Sequence, residues 1–204
     1  MLSRRELAVK LEQVAGFDEP RPELEQYTTA PEIAASIIHE ASLRDDLGRQ
    51  VVDLGSGTGM LAIGAALDGA RGVCAVEMDH QAIAIAVANA RHLGVRIDWV
   101  IGDVRNLPLC VDQPVTVIMN PPFGAQLTHR GADRAFLRAT ASIAAVSYSI
   151  HNAGSRSFIE AFVDDHDGVV THAFEVDLEL PRQHDFHRVP KKQQQAEVYR
   201  IEWG

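Results

Sequence analysis

The sequence predicts an α/β protein: a seven-stranded, mainly parallel sheet sandwiched by helices and closed by an antiparallel C-terminal strand pair. Three observations predict it. From Gly48 onward, short β-branched runs alternate with apolar segments at helical spacing, and that alternation builds parallel sheets through right-handed crossovers. Ala, Val and Ile are frequent while aromatics make up only 6%. Finally, the polar motifs fall at the ends of the β runs, and ligands on such sheets bind beyond the carboxyl ends of the strands.

The elements follow in order. Ser3 with Glu6 three residues later forms a capping box, and Leu7, Leu11 and Val14 share one face of the helix it starts. Gly16 and the Pro20/Pro22 pair end that helix. Residues 24–31 are polar and irregular; a helix carrying Ile33, Ala34, Ile37, Ile38 and Ala41 follows. Strands are predicted at 51–54, 72–77, 95–101, 115–119 and 146–150, with helices at 60–67, 80–92, 133–145 and 155–165. Residues 169–180 and 196–203 read as the closing antiparallel pair. No repeat or linker interrupts the chain, so 1–204 reads as one domain, with an N-terminal helical lid over 1–47 and the catalytic core over 48–204.

Composition narrows the function. The 204 residues carry 46% hydrophobic and 23% charged side chains, ordinary for a globular protein with one sizeable core. A net charge of −9 argues against holding nucleic acid by bulk electrostatics, although the tail from Pro181 is basic, with Lys191 and Lys192 adjacent. Cys74 and Cys110 are the only cysteines and form neither a disulfide framework nor a metal motif; no metal site is predicted, and Cys74 reads as a small core residue. The first residues have no apolar leader and no stretch of about 20 apolar residues occurs, so a cytoplasmic protein without membrane contact is expected. His39, His80 and His92 read as surface positions on helices.

The chemistry concentrates at strand ends. Asp53-Leu54-Gly55-Ser56-Gly57-Thr58-Gly59 occupies the first strand-to-helix turn. Glycines there let the backbone turn tightly and approach a ligand. The spacing is neither the dinucleotide fingerprint nor a P-loop. The next strand ends in Glu77, which can take both hydroxyls of a ribose. The third ends before Asp103 and Val104, a carboxylate and an amide suited to an adenine edge. Asp53 can meet an ammonium group or order water beside it. A nucleoside bearing an amino-acid group and no phosphates fits this set, namely S-adenosylmethionine.

The fourth strand, 115–119, delivers Asn120-Pro121-Pro122-Phe123-Gly124. Two prolines stiffen this loop, so an amide, free carbonyls and an aromatic face are presented together. That set suits a flat ring with an amino group. Asn120 Oδ1 and the Pro121 carbonyl would accept the two N–H bonds. Phe123 would stack on the ring, at about 1–3 kcal/mol for a base on an aromatic. A base must be unstacked or flipped to reach so short a loop.

These residues resemble the amino methyltransferases of the Rossmann-like, class I S-adenosylmethionine-dependent fold. More narrowly, four stretches resemble the small-subunit ribosomal RNA adenine-N6 methyltransferase family of archaea and eukaryotes: Leu24-Glu25-Gln26-Tyr27-Thr28-Thr29, Val117 through Gly124, Tyr148-Ser149-Ile150-His151, and Phe186-His187 with the lysines after it. The resemblance implies that Gln26 and Thr29 close over the cofactor. It places Gly55, Gly57, Thr58, Gly59 and Met60 in the glycine turn, Glu77 on the ribose, and Asp103 with Val104 at the adenine. Glu77 stands where the family often has Asp, one methylene shorter. RNA contacts are implied for Phe123, Lys191 and Lys192. The resemblance also implies a small zinc-binding activator protein that adds a strand to the sheet, for which the apolar third strand at 95–101 is the candidate edge. Two alternatives share the Asn-Pro-Pro-aromatic loop: a protein glutamine N5-methyltransferase, and an enzyme acting on another nucleic-acid amine (cytosine N4 or guanine N2).

Overall fold

The structure is a computed structural model that describes residues 1–21, 24–122, 131–179 and 193–204, without the side chains at 132, 178, 179, 193 and 194. Seven strands, β1 (Gln50–Leu54), β2 (Gly72–Glu77), β3 (Asp98–Ile101), β4 (Val115–Met119), β5 (Ala144–Asn152), β6 (Val169–Glu179) and β7 (Gln193–Glu202), form one sheet in the order β3-β2-β1-β4-β5-β7-β6. The first five are parallel; β7 runs antiparallel to both its neighbours. This is the fold class that the sequence predicts.

The helices α1 (Arg4–Leu11), α2 (Pro31–Leu43), α3 (Met60–Leu67) and α4 (His80–His92) join one apolar cluster on one face of the sheet. On the other, α5 (Ala132–Ile143) and α6 (Arg156–Asp164) pack with the alternate residues of β1, β2, β4 and β7. Ser3 and Glu6 make both bonds of the capping box on α1. Every residue of β4 is buried, which fixes the strand that feeds the Asn120 loop.

Two of the boundaries that differ from expectation have a local cause. β3 begins at Asp98 rather than at 95, because the Val95 N–H donates to the Ala90 carbonyl at 3.0 Å in the turn closing α4. At the other boundary α5 stops at Ile143, not at 145: Ala144 is already extended (φ −89°, ψ 143°) and pairs with Val115. A helix with no glycine stop passes directly into a strand, so local sequence hides the junction. Cys74 is buried and Cys110 exposed, while His80 and His92 are exposed and His39 half-buried.

A polar network lies before the amino end of β1. Asp46 Oδ2 accepts from Tyr148 Oη at 2.7 Å and from Arg200 Nε at 2.9 Å, and Oδ1 from Arg200 Nη2 at 3.2 Å. Arg200 Nη1 donates onward to Thr171 at 2.7 Å and Glu202 at 2.6 Å.

Candidate active site

The site forms where the strand order reverses, between β1 and β4. Leu54 pairs with Met119, so Gly55 and Asn120 leave the sheet side by side. The turn after β1 is stapled to β2: the Gly55 and Ser56 N–H groups donate to the Val76 carbonyl at 2.9 and 3.1 Å. Gly55, Gly57 and Gly59 have φ of 71°, 53° and 92°, in the left-handed region that glycine enters without steric cost. Aromatic rings cover all three. A Cβ at Gly55 would lie 2.9 Å from Phe136 of α5, one at Gly57 3.0 Å from Phe17, and one at Gly59 3.0 Å from Trp99 of β3.

Gly55, Gly57, Thr58, Met60, Asp53, Glu77, Asp103, Val104, Gln26, Thr29, Asn120 and Pro122 line one cavity of about 390 Å³. Small-molecule sites are of this size and type. Gly59 is not in that lining; it is the N-cap of α3. Pro121 is buried behind the lining. Phe123, Lys191 and Lys192 lie outside the described residues.

Each carboxylate has its own electrostatic state. Glu77 accepts three backbone N–H bonds, from Gly57 at 2.9 Å, Met78 at 2.8 Å and Asp79 at 2.9 Å. Burial nevertheless raises its pKa above the ordinary range, against the lowering by those donors. Both oxygens keep acceptor capacity for hydroxyls. Asp53 is 1% exposed; Oδ2 accepts from the Ala62 N–H at 2.9 Å, and Oδ1 is buried without a partner. Burial first, and then the nearby Glu77 charge, push it up to about 8, with the Ala62 bond pulling the other way. Asp103 is bound by Arg105, which donates from its backbone at 2.9 Å and its guanidinium at 2.6–3.0 Å. That bond holds Asp103 below the usual carboxylate range, so an adenine amine would share this acid with Arg105.

The N-terminal segment is fastened over the cavity by side chains. Gln26 Nε2 donates to Asp79 Oδ2 at 2.7 Å, and its Oε1 accepts from the Arg21 N–H at 2.9 Å. Asn89 of α4 binds both backbone groups of Ala15 at 3.0 Å and also donates to the Thr58 carbonyl at 3.0 Å, so one buried amide joins the segment to the glycine turn. The sequence reading missed Asn89, Phe17 and Phe136. Asn89 is a polar interruption on the apolar face of α4, the one signal that marks it.

Asn120 completes the site. Its Nδ2 donates to Thr29 Oγ1 at 3.0 Å, and Oδ1 is buried with no partner. Two orphaned oxygens, Asp53 Oδ1 and Asn120 Oδ1, therefore belong to one cavity whose glycine turn admits close approach. A buried acceptor without a partner carries a desolvation cost that a donating ligand relieves. The donor set fits S-adenosylmethionine: Asp53 for its ammonium, Glu77 for the ribose hydroxyls, and Asp103 with the Val104 amide for the adenine edge.

Known proteins resemble this chain along nearly its whole length. The chain is 36% identical over 190 residues to the rRNA N(6)-adenosine-methyltransferase METTL5 of Danio rerio, covering 90% of this chain and 91% of that protein. It is 34% identical over 211 residues to an uncharacterized protein of Methanocaldococcus jannaschii, covering 99% and 95%. The crystal structure of a candidate RNA methyltransferase from Pyrococcus horikoshii superposes with a TM-score of 0.88 at 40% identity, covering 100% of this chain and 98% of that one. The methyltransferase small domain matches residues 32–146, from α2 into β5, and thus both strands that frame the cavity. The chain belongs to the methyltransferase small-domain family.

Proposed function

We propose that this protein transfers a methyl group from S-adenosylmethionine to the N6 amine of an adenine in small-subunit ribosomal RNA. Asn120 carries the reading: its Oδ1 is a buried acceptor with no partner at the end of β4, beside the glycine turn. Such an atom calls for a donor, and an exocyclic amine supplies one. The ribosomal adenine is supported by the names of similar proteins from Danio rerio and Drosophila melanogaster, both rRNA N(6)-adenosine-methyltransferases.

The cofactor supplies a methyl group on a cationic sulfur and leaves as the neutral thioether. The protein's part is binding and aim. Asp53, Glu77 and Asp103 hold the cofactor, and the segment fastened by Gln26 and Asn89 acts as a lid that excludes water. An adenine amine is a weak nucleophile because its lone pair is shared with the ring. By accepting its N–H bonds, Asn120 Oδ1 and the Pro121 carbonyl favour a more tetrahedral nitrogen. The new N–C bond forms as the methyl is released, and the amine then sheds one proton to solvent. Positioning of this kind accounts for much of the rate in such displacements. Phe123 stacks on the base, and Lys191 and Lys192 meet the RNA backbone.

A partner completes the reading. β3 is the sheet edge and Ile101 on it is 52% exposed. An open apolar edge accepts another chain's strand, here that of a small zinc-binding activator protein.

The test is methyl transfer from labelled S-adenosylmethionine to small ribosomal subunits lacking the modification, followed by nucleoside analysis. Wild type yields N6-methyladenosine, and Asn120→Ala reduces the rate about 10²–10³-fold, the cost of losing one aligned hydrogen bond to the reacting group. Label on a protein glutamine would overturn the RNA assignment. Undiminished transfer by the variant would overturn the role of Asn120.

A further inference from the structure

Thr29 is 6% exposed, and its hydroxyl faces Asn120 rather than solvent. We propose that Thr29 is a positioning residue for methyl transfer, whose hydroxyl holds the Asn120 amide with Oδ1 directed at the target amine. This rests on the adenine reading above.

The last torsion of an asparagine is broad and roughly two-fold, so nothing intrinsic to Asn120 decides which end faces the cavity. Turned one way it presents an acceptor to the incoming N–H. Turned the other way it presents a second donor and repels the amine. Thr29 Oγ1 accepts from Nδ2 at 3.0 Å, which leaves Oδ1 as the buried end without a partner. By accepting from Nδ2, the hydroxyl holds the amide in the orientation that leaves Oδ1 for the target amine.

Both partners are rigidly mounted. Thr29 immediately precedes Ala30, the N-cap of α2, and Pro31 is the first residue of that helix. Ile33, Ile37 and Ile38 bury α2 in the core. Asn120 directly follows β4, every residue of which is buried. The bond therefore joins two fixed elements 91 residues apart in sequence. Thr29 also lines the cofactor cavity, so filling the cavity and aiming the amide are linked through one side chain.

The test compares Thr29→Val, which keeps the shape and removes the hydroxyl, with Thr29→Ser, which keeps the hydroxyl. Thr29→Val lowers kcat about 10–100-fold, the loss expected from a misaligned reacting group. Its affinity for S-adenosylhomocysteine, by calorimetry, falls by less than kcat does, because most of the loss falls on the aimed amide. Thr29→Ser restores kcat. The double variant Thr29→Val/Asn120→Ala is no slower than Asn120→Ala alone, since groups acting as a unit are not additive. Independently of substrate, the Asn120 side-chain amide protons, followed by nuclear magnetic resonance, are protected from exchange in wild type and Thr29→Ser and exposed in Thr29→Val. A weakened cofactor affinity with unchanged kcat would make Thr29 a cofactor contact only and overturn the proposal, as would an unaltered Asn120 amide signal in Thr29→Val. If wild type methylates no adenine, the functional reading falls, while the amide signal still decides whether Thr29 orients Asn120.

Discussion

Asp46 lies just before β1 and Asp53 near its carboxyl end, and the protein treats them in opposite ways. Both are buried, at 3% and 1% exposure. Asp46 is saturated: Tyr148 and Arg200 donate to it through three side-chain bonds of 2.7–3.2 Å, and Arg49 lies 3.9 Å away. Asp53, in the lining of the cavity, has one backbone donor and an oxygen without a partner. A saturated buried carboxylate ties elements of the sheet together. An unsaturated one keeps its capacity for something that arrives later.

The largest effect follows from breaking the saturated end. Arg200→Leu leaves the buried Asp46 with only Tyr148 and the more distant Arg49, and should destabilise the protein by about 3–5 kcal/mol in chemical denaturation. Adding Asp46→Leu to it should restore much of that loss. If the single variant is as stable as wild type, Asp46 is not the structural partner described here.

Asp53→Asn should do the reverse. Its carboxyl is pushed up to about 8 from 3.8, so the stability linked to its protonated form is full below pH 3.8 and lost as the pH rises through 8. At pH 8 the neutral amide should stabilise the ligand-free protein by about 1–3 kcal/mol. It should also weaken S-adenosylmethionine binding about 10–100-fold, the worth of a hydrogen bond to a charged group. In wild type the affinity should climb between pH 6 and pH 8, because the ammonium selects the ionised carboxylate.

The smallest effect sharpens the comparison by separating an orphaned atom from a ligand site. His151 Nε2 is buried without a partner, but His151 does not line the cavity. Burial depresses its pKa to about 4 from 6.5. Its contribution is therefore present above pH 6.5 and lost as the pH falls through 4. Replacing it with Gln should flatten the acid limb of the stability curve, by about 1 kcal/mol at pH 5.5, and leave S-adenosylmethionine affinity unchanged. A change in that affinity would extend the cofactor site to β5.

Much of this was legible in the sequence, for physical reasons. Glu77, Asp103 and Asn120 each follow an apolar run, and in a parallel sheet such positions converge on one edge. The glycines of 55–59 announce a turn that side chains would obstruct. Less was legible where the answer depends on which chain segment folds back. Thr29 reads as a residue that closes over the cofactor, yet its hydroxyl engages Asn120. Asp103 reads as an acceptor for an adenine edge, yet Arg105 two residues on already donates to it. Asn89 and the rings of Phe17, Phe136 and Trp99 act across distances that no local pattern reports.

The most direct measurement is a crystal structure with S-adenosylhomocysteine. The ligand ammonium should lie within hydrogen-bond distance of Asp53 Oδ1, with the Asn120–Thr29 bond and the Asp46 network unchanged. A ligand seated elsewhere, or one that leaves Asp53 Oδ1 without a partner, would contradict the claim that these unsatisfied atoms mark the site.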